Sequence, residues 1–104
     1  MLDKTTPYTA IDRYARAVLK SMNPASIVLF GSYANGTPTE ESDIDVAVIF
    51  NQFSGDKWGA SSLLWKMTVD IDDRIEPVLL ESSNDPSGFV DEVLRTGRVI
   101  YSAV

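Results

Sequence analysis

Two aspartates on alternate positions, Asp43 and Asp45, stand at the head of the apolar run Ile44 to Phe50. A glycine-bordered hexad, Gly31-Ser32-Tyr33-Ala34-Asn35-Gly36, lies just upstream. In an extended strand residues i and i+2 share a face, roughly 6–7 Å apart. Two acceptor-only carboxylates facing one way suit a divalent cation such as magnesium, which takes one or two carboxylates together with substrate phosphates. Gly31 and Ser32, without bulk at the end of a buried run, let backbone N–H groups approach a phosphate, and the serine hydroxyl adds a donor. The chemistry expected of this stretch is a metal-dependent site for a nucleoside triphosphate. Each part also has a plainer reading. Gly31-Ser32 could be an ordinary strand-to-helix turn with Ser32 as N-cap, Ser42 and Asp43 could cap a turn, and Asp45 could sit in a salt bridge. Asp45 weighs against the plainer reading, because an unpaired charge inside an apolar run is costly.

Two-metal phosphoryl chemistry usually employs a third carboxylate. Asp70, Asp72, Asp73 and Glu76 are the candidates. Glu76 lies within the extended run RIEPVLL (74–80) and could face the same cleft as Asp43 and Asp45, whereas Asp72 and Asp73 read as helix-end loop residues. Glu76 could equally pair with Arg74 on its own strand face. The residues alone leave those two readings open.

The elements that must position these groups are legible from periodicity. Thr6-Pro7 is a helix start, and Ile11, Tyr14, Ala15, Val18, Leu19 and Met22 form one apolar stripe before Asn23-Pro24 stops the helix. Ile27 to Phe30 and Ile44 to Phe50 read as interior strands, with Ser32 to Asn35 as a single helical turn and Thr37 to Ser42 as a polar connection. A helix from Lys57, ending around Asp70 to Asp73, carries Ala60, Leu64, Met67 and Ile71 on one stripe with Trp58 and Trp65 beside it. Pro77 inside the third strand predicts an edge position. Asp85-Pro86 repeats the cap-then-proline start, Phe89, Val90, Val93 and Leu94 form a further stripe, Gly97 sits at a helix C-terminus, and Val99 to Tyr101 adds a short strand. Strands alternating with helices predict an α/β fold in one domain spanning residues 1–104. Pattern alone points to a parallel sheet, although the short link between the first two strands opposes an all-parallel one.

The bulk numbers narrow the function. With neither cysteine nor histidine in 104 residues, disulfides, thiolate or imidazole zinc sites and histidine-based triads are excluded within the chain. A net charge of −6 argues against a general nucleic-acid binder, and the nine basic residues are scattered. One nucleotide remains compatible if a cation offsets the repulsion. The sequence shows neither a membrane-length apolar run nor a signal-peptide layout, so the cytoplasm is the default location.

Gly31-Ser32-x-x-x-Gly36 followed by Ser42-Asp43-Ile44-Asp45 resembles the signature of the DNA polymerase β-like nucleotidyltransferase superfamily, and the chain's size resembles its minimal branch. The resemblance implies a small mixed sheet with helices packed on it, an α+β arrangement. It also implies ATP bound with two magnesium ions, which manganese could replace. Gly31, Ser32, Gly36 and Ser42 would then contact the nucleotide, Asp43 and Asp45 would hold the metals, and Glu76 is favoured as the third carboxylate. Tyr33 and Asn35 stand where many relatives carry basic residues.

The reaction implied is transfer of AMP to a hydroxyl with release of pyrophosphate. One metal, on Asp43, Asp45 and Glu76, would activate the acceptor, and the other, on Asp43 and Asp45, would steady the leaving group. Within the 104 residues no segment reads as an acceptor-binding helical domain, so the acceptor is expected to come from a partner. The resemblance therefore implies a partner, a helical HEPN-type toxin silenced by adenylylation of a tyrosine, which would make the chain an antitoxin. Two alternatives are a non-catalytic antitoxin with a vestigial site and a small-molecule transferase whose acceptor domain is a separate chain.

Overall fold

The computed structural model describes residues 7–36 and 42–103. Eight elements follow in order: α1 (Pro7–Ser21), β1 (Ser26–Phe30), α2 (Ser32–Asn35), β2 (Ile44–Phe50), α3 (Lys57–Val69), β3 (Ile75–Glu81), α4 (Phe89–Thr96) and β4 (Arg98–Ser102). Thr6 and the connection 37–41 lie outside the described residues.

The four strands form one mixed sheet in the order β3-β2-β1-β4. β1 runs antiparallel to both β2 and β4, while β2 and β3 are parallel. The parallel arrangement expected from pattern alone thus holds only where α3 supplies a crossover. A parallel pair needs a dozen or more connecting residues, usually helical, and the short β1-to-β2 link reverses the chain instead. β3 is an edge strand, as Pro77 requires.

Both faces of the sheet are covered. On one, Ala10, Ile11, Tyr14, Ala15 and Val18 of α1 and Leu64 of α3 pack against Ile27, Leu29, Ile44, Val46, Val48 and Ile75. The buried Tyr14 hydroxyl donates to the Leu64 carbonyl at 2.7 Å, tying the two helices together. Burial without a charge partner pushes the Tyr14 pKa up, so the group stays a donor. On the other face Val90 and Val93 of α4 pack against Val28, Ala47 and Ile49, and Phe89 meets Phe30 edge-to-face at 5.7 Å.

The structure corrects the start of α4 and refines two other local expectations. Trp58 is 87% exposed and Trp65 is exposed too, so α3 turns Leu64 and Thr68 inward and its tryptophans to solvent. α4 begins at Phe89 rather than at Pro86, because the Asp85 carboxylate reaches across the turn and accepts from the N–H groups of Val90 and Asp91 at 3.0 and 3.2 Å. Gly97 is extended, not left-handed (φ −85°, ψ −179°). It is needed for room, since a Cβ there would lie 2.6 Å from Val28 Cγ1 and 2.7 Å from the Leu29 carbonyl oxygen.

Candidate functional site

Register brings the acidic residues together. Asp45, the second residue of β2, is flanked by Phe30 on β1 and by Glu76 on β3. Neighbouring strands lie about 4.8 Å apart and their register partners project to one face, so the two carboxylates stand side by side. Alternation along β2 puts Ala47 and Ile49, which pack under α4, on the same face as Asp45. Asp45 therefore projects away from the larger core, at the end of the sheet where β2 begins. Asp43 is exposed two residues earlier and is hydrogen-bonded to Glu76.

The electrostatics are those of crowded acids. The hydrogen bond with Asp43 raises the Glu76 pKa above the usual glutamate range, and partial burial and the negative charges of Asp43 and Asp45 push the same way. Asp45 is raised as well, first by its own burial and then by the charge of Asp43. The charges acting on Glu76 are both negative, so a cation is the missing complement.

The turn after β1 is shaped to fit against this cluster. Gly31 has φ 77° and ψ −153°, a region open essentially to glycine alone. A Cβ on Gly31 would also run into the Asp45 carboxylate, with Asp45 Cγ only 3.1 Å away. The Gly31 carbonyl accepts from the N–H groups of Ala34 and Asn35 at 3.1 and 3.0 Å, which winds α2. Gly36, left-handed at φ 76° and ψ 20°, ends it. Ser32 is the first residue of α2, and the N-cap position falls to Gly31 instead. Gly36 is exposed at the far end of α2, and Ser42 is half-buried just before Asp43.

The competition for the third carboxylate turns on Arg74. Its Nε donates to Asp72 Oδ1 at 2.9 Å, its terminal nitrogen to Asp72 Oδ2 at 2.6 Å, and its backbone N–H to Asp72 Oδ1 at 3.0 Å. That embrace holds the Asp72 pKa below the usual range. The same contact raises the Arg74 pKa, with a lesser contribution from the Tyr33 hydroxyl. Asp72 is thus occupied by Arg74. Asp70 caps the end of α3, and Asp73 is exposed in the following turn. The sequence reading weighs Arg74 as a partner for Glu76, whereas the structure pairs it with Asp72.

Among the described residues no three acidic groups close round a single point as a ready-made ion cage. The donor set nevertheless fits magnesium. It offers hard oxygens on one face, with Gly31 leaving the space that the Asp45 carboxylate occupies, and magnesium commonly completes its shell with water and phosphate.

Comparison with known proteins speaks to the family and the fold. The family model described as "Polymerase beta, Nucleotidyltransferase" matches residues 15–103. A Methanocaldococcus jannaschii protein, provisionally named a protein adenylyltransferase, is 40% identical over 76 residues, 72% of this chain and 76% of the relative. A second protein of that organism with the same provisional name is 67% identical over 27 residues, 26% of this chain and 27% of its own. Among solved structures, a Sulfolobus solfataricus chain provisionally assigned as a nucleotidyltransferase superposes with a TM-score of 0.64 over 99% of this chain and 93% of that one. At 17% identity that likeness speaks for the fold. A toxin–antitoxin crystal structure with AMP-PNP aligns at a TM-score of 0.65 and 27% identity, over 88% of this chain and 73% of that one.

Proposed function

The chain belongs to the Polymerase beta nucleotidyltransferase family, and on that premise we propose that it transfers AMP from ATP to a tyrosine hydroxyl of a helical HEPN-type toxin, acting as its antitoxin. The observation that carries the reading is the pairing of Asp45 with Glu76 across parallel strands, with Gly31 against the Asp45 carboxylate. The relatives named as protein adenylyltransferases and the toxin–antitoxin neighbour with AMP-PNP support a protein acceptor and an adenine nucleotide.

In this reading Asp43, Asp45 and Glu76 hold the magnesium ions, and the backbone of Gly31 with Ser32, Gly36 and Ser42 receives the triphosphate. Bound magnesium supplies charge neutralisation at the phosphates and acidifies the acceptor hydroxyl. The chain's own residues orient the α-phosphorus toward the acceptor. The tyrosine oxygen forms a bond to that phosphorus, the bond to the bridging oxygen breaks, pyrophosphate departs with the electron pair, and the tyrosine proton passes to water. Such catalysis is mainly positioning and electrostatics, so a chain without histidine can perform it. The reading places the protein in the cytoplasm, where the nucleotide is abundant. Among the described residues no helix is long and apolar enough to cross a membrane.

Incubation with α-labelled ATP, magnesium and the co-purified helical partner tests the proposal. Label should appear on the partner, and Asp45→Asn should lower transfer by at least about a hundredfold, the scale of removing a group aimed at the reacting charge. Undiminished transfer by that variant would remove Asp45 from the chemistry. If Asp43→Asn with Asp45→Asn still neutralises the partner at native affinity, the chain acts by occlusion instead.

A further inference from the structure

Helix α3 packs one side on the core and leaves a second apolar side in water. Leu64 and Thr68 are buried, and Met67 packs against the same core. On the outer side Trp58 is 87% exposed, Trp65 49% and Val69 75%. Trp58, Ser62, Trp65 and Val69 recur at spacings of four, three and four residues, so they fall on one stripe. A helix that is apolar all round is ordinarily covered all round. The two indoles alone leave roughly 300 Å² open, which is already the scale of the largest apolar patch on a typical monomer.

This face complements itself. Ser61 and Ser62 lie at its middle, with Trp58 three residues before the first and Trp65 three after the second. If two such helices cross antiparallel about a two-fold axis at the serines, each Trp58 meets the Trp65 of the other copy. Small side chains at the crossing let the helices approach, and paired indoles attract beyond the area they bury. The charges agree with the same orientation. The Asp56 carboxylate fills the place of the missing Gly59 side chain, since a Cβ on Gly59 would have Asp56 Cγ 3.1 Å away. Gly59 and Lys66 are seven residues apart, about two turns, and so share one flank of the outer face. A two-fold axis sets that flank against its own reversed copy, which brings each Asp56 carboxylate beside the Lys66 of the other chain. Asp56 makes no side-chain cap bond, and among the described residues neither it nor Lys66 has an ion pair.

We propose that the outer face of α3 is a homodimer interface, two copies crossing antiparallel at Ser61 and Ser62 with Trp58 against Trp65 and Asp56 against Lys66, each contact made twice. A different protein would require no such symmetry of this chain. Matched aromatic ends about a central pair of small residues, with opposite charges on one flank, are what a face needs in order to meet itself. Four indoles leave water together, with Val69 and Leu63 at the rim, and the two copies bury roughly 1,000 Å², the lower end for a specific interface. Association is therefore expected to depend on concentration. Asp45 projects to the opposite, α4 side of the sheet with Ala47 and Ile49, so the contact neither covers that carboxylate nor depends on what it binds.

Sedimentation equilibrium of the chain alone tests this, over a range from about 1 to about 300 μM. The mass should rise from 11.5 kDa toward twice that value. Trp58→Ala removes a side chain that its own chain leaves in water, so the dilute monomer should stay folded while association weakens at least about tenfold. Lys66→Glu and Asp56→Lys each set like charges face to face and should weaken self-association about 5- to 30-fold. An equimolar mixture of those two variants restores both pairs and should dimerise with near-native affinity. The chain has no cysteine, so Ser62→Cys places a single thiol near the axis and should oxidise to a covalent dimer. Val69→Cys, about 20 Å from its own copy in this arrangement, should not. A chain that stays monomeric throughout, native self-association in Trp58→Ala, no rescue in the mixture, or equal cross-linking of the two cysteine variants would each overturn the homodimer. A monomeric chain that binds its helical partner through Trp58 would also overturn it, and would assign the face to that partner.

Discussion

Gly31→Ala puts two costs at one atom, and the structure allows them to be separated. The first is conformational. At φ 77° and ψ −153° a side chain is strained by about 1–3 kcal/mol whatever surrounds it. The second is collision, because the added methyl would occupy the place of the Asp45 carboxylate, and either the carboxylate or the turn must yield. Gly36→Ala is the control. Its backbone is left-handed too (φ 76°, ψ 20°), but among the described residues no atom lies within 4 Å of the added carbon, so it should cost only the conformational part, about 1–2 kcal/mol. Urea unfolding of both variants in EDTA gives the energies, and repetition in an Asp45→Ala background removes the obstacle. The cost of Gly31→Ala should fall in that background by about 1 kcal/mol or more, while the cost of Gly36→Ala stays the same within about 0.5 kcal/mol. Magnesium-dependent ATP binding should be lost in Gly31→Ala and largely kept in Gly36→Ala. Equal destabilisation by Gly31→Ala in both backgrounds would refute the claim that Asp45 is lodged against that glycine.

Two further outcomes follow from packing and charge. Glu76 and Asp45 hold their protons to higher pH in the folded chain than in the unfolded one. Stability from such groups is fully present below their unfolded values and is lost as pH rises through the raised folded ones. Asp72 is held low by Arg74 and works in the opposite sense, its contribution being lost as pH falls through its depressed value. In metal-free protein Glu76→Gln should therefore gain stability relative to native as pH rises above the ordinary glutamate pKa, and an unchanged gap in paired urea titrations would contradict the assigned crowding. On α3, Leu64→Ala should cost about 2–5 kcal/mol from a buried site, whereas Trp58→Ala, at 87% exposure, should stay within about 0.5 kcal/mol. Comparable losses in the two melts would mean the helix is rotated from the orientation described.

Much of this was legible in the sequence, because the relevant signals are local. Gly31, Gly36, Asp43 and Asp45 were singled out by type and spacing. Pro77 announced an edge strand, and Ile44 to Phe50 was bounded as found. What escaped depends on which surfaces meet. On α3 periodicity found the stripe of Leu64, Met67 and Ile71 that meets the core, but not that Trp58 and Trp65 beside it turn to solvent. β2 is apolar on both faces beyond Asp45, which hides the alternation that would assign Asp45 to the α4 side. Glu76 could be proposed but not distinguished from an Arg74 partner, since the answer lay in Asp72 capturing that arginine first.

The same contacts explain why the acidic cluster is stable enough to exist without a basic side chain drawn into it. Register forces Asp45 and Glu76 into adjacency, and the raised pKa values show that their proximity is unfavourable once both are ionised. An arginine two residues from Glu76 would ordinarily relieve that repulsion, yet Asp72 takes the Arg74 guanidinium in a forked contact. In the proposed reading a bound cation would neutralise the repulsion that remains, and the Asp72–Arg74 pair would help to keep the acidic face available for it.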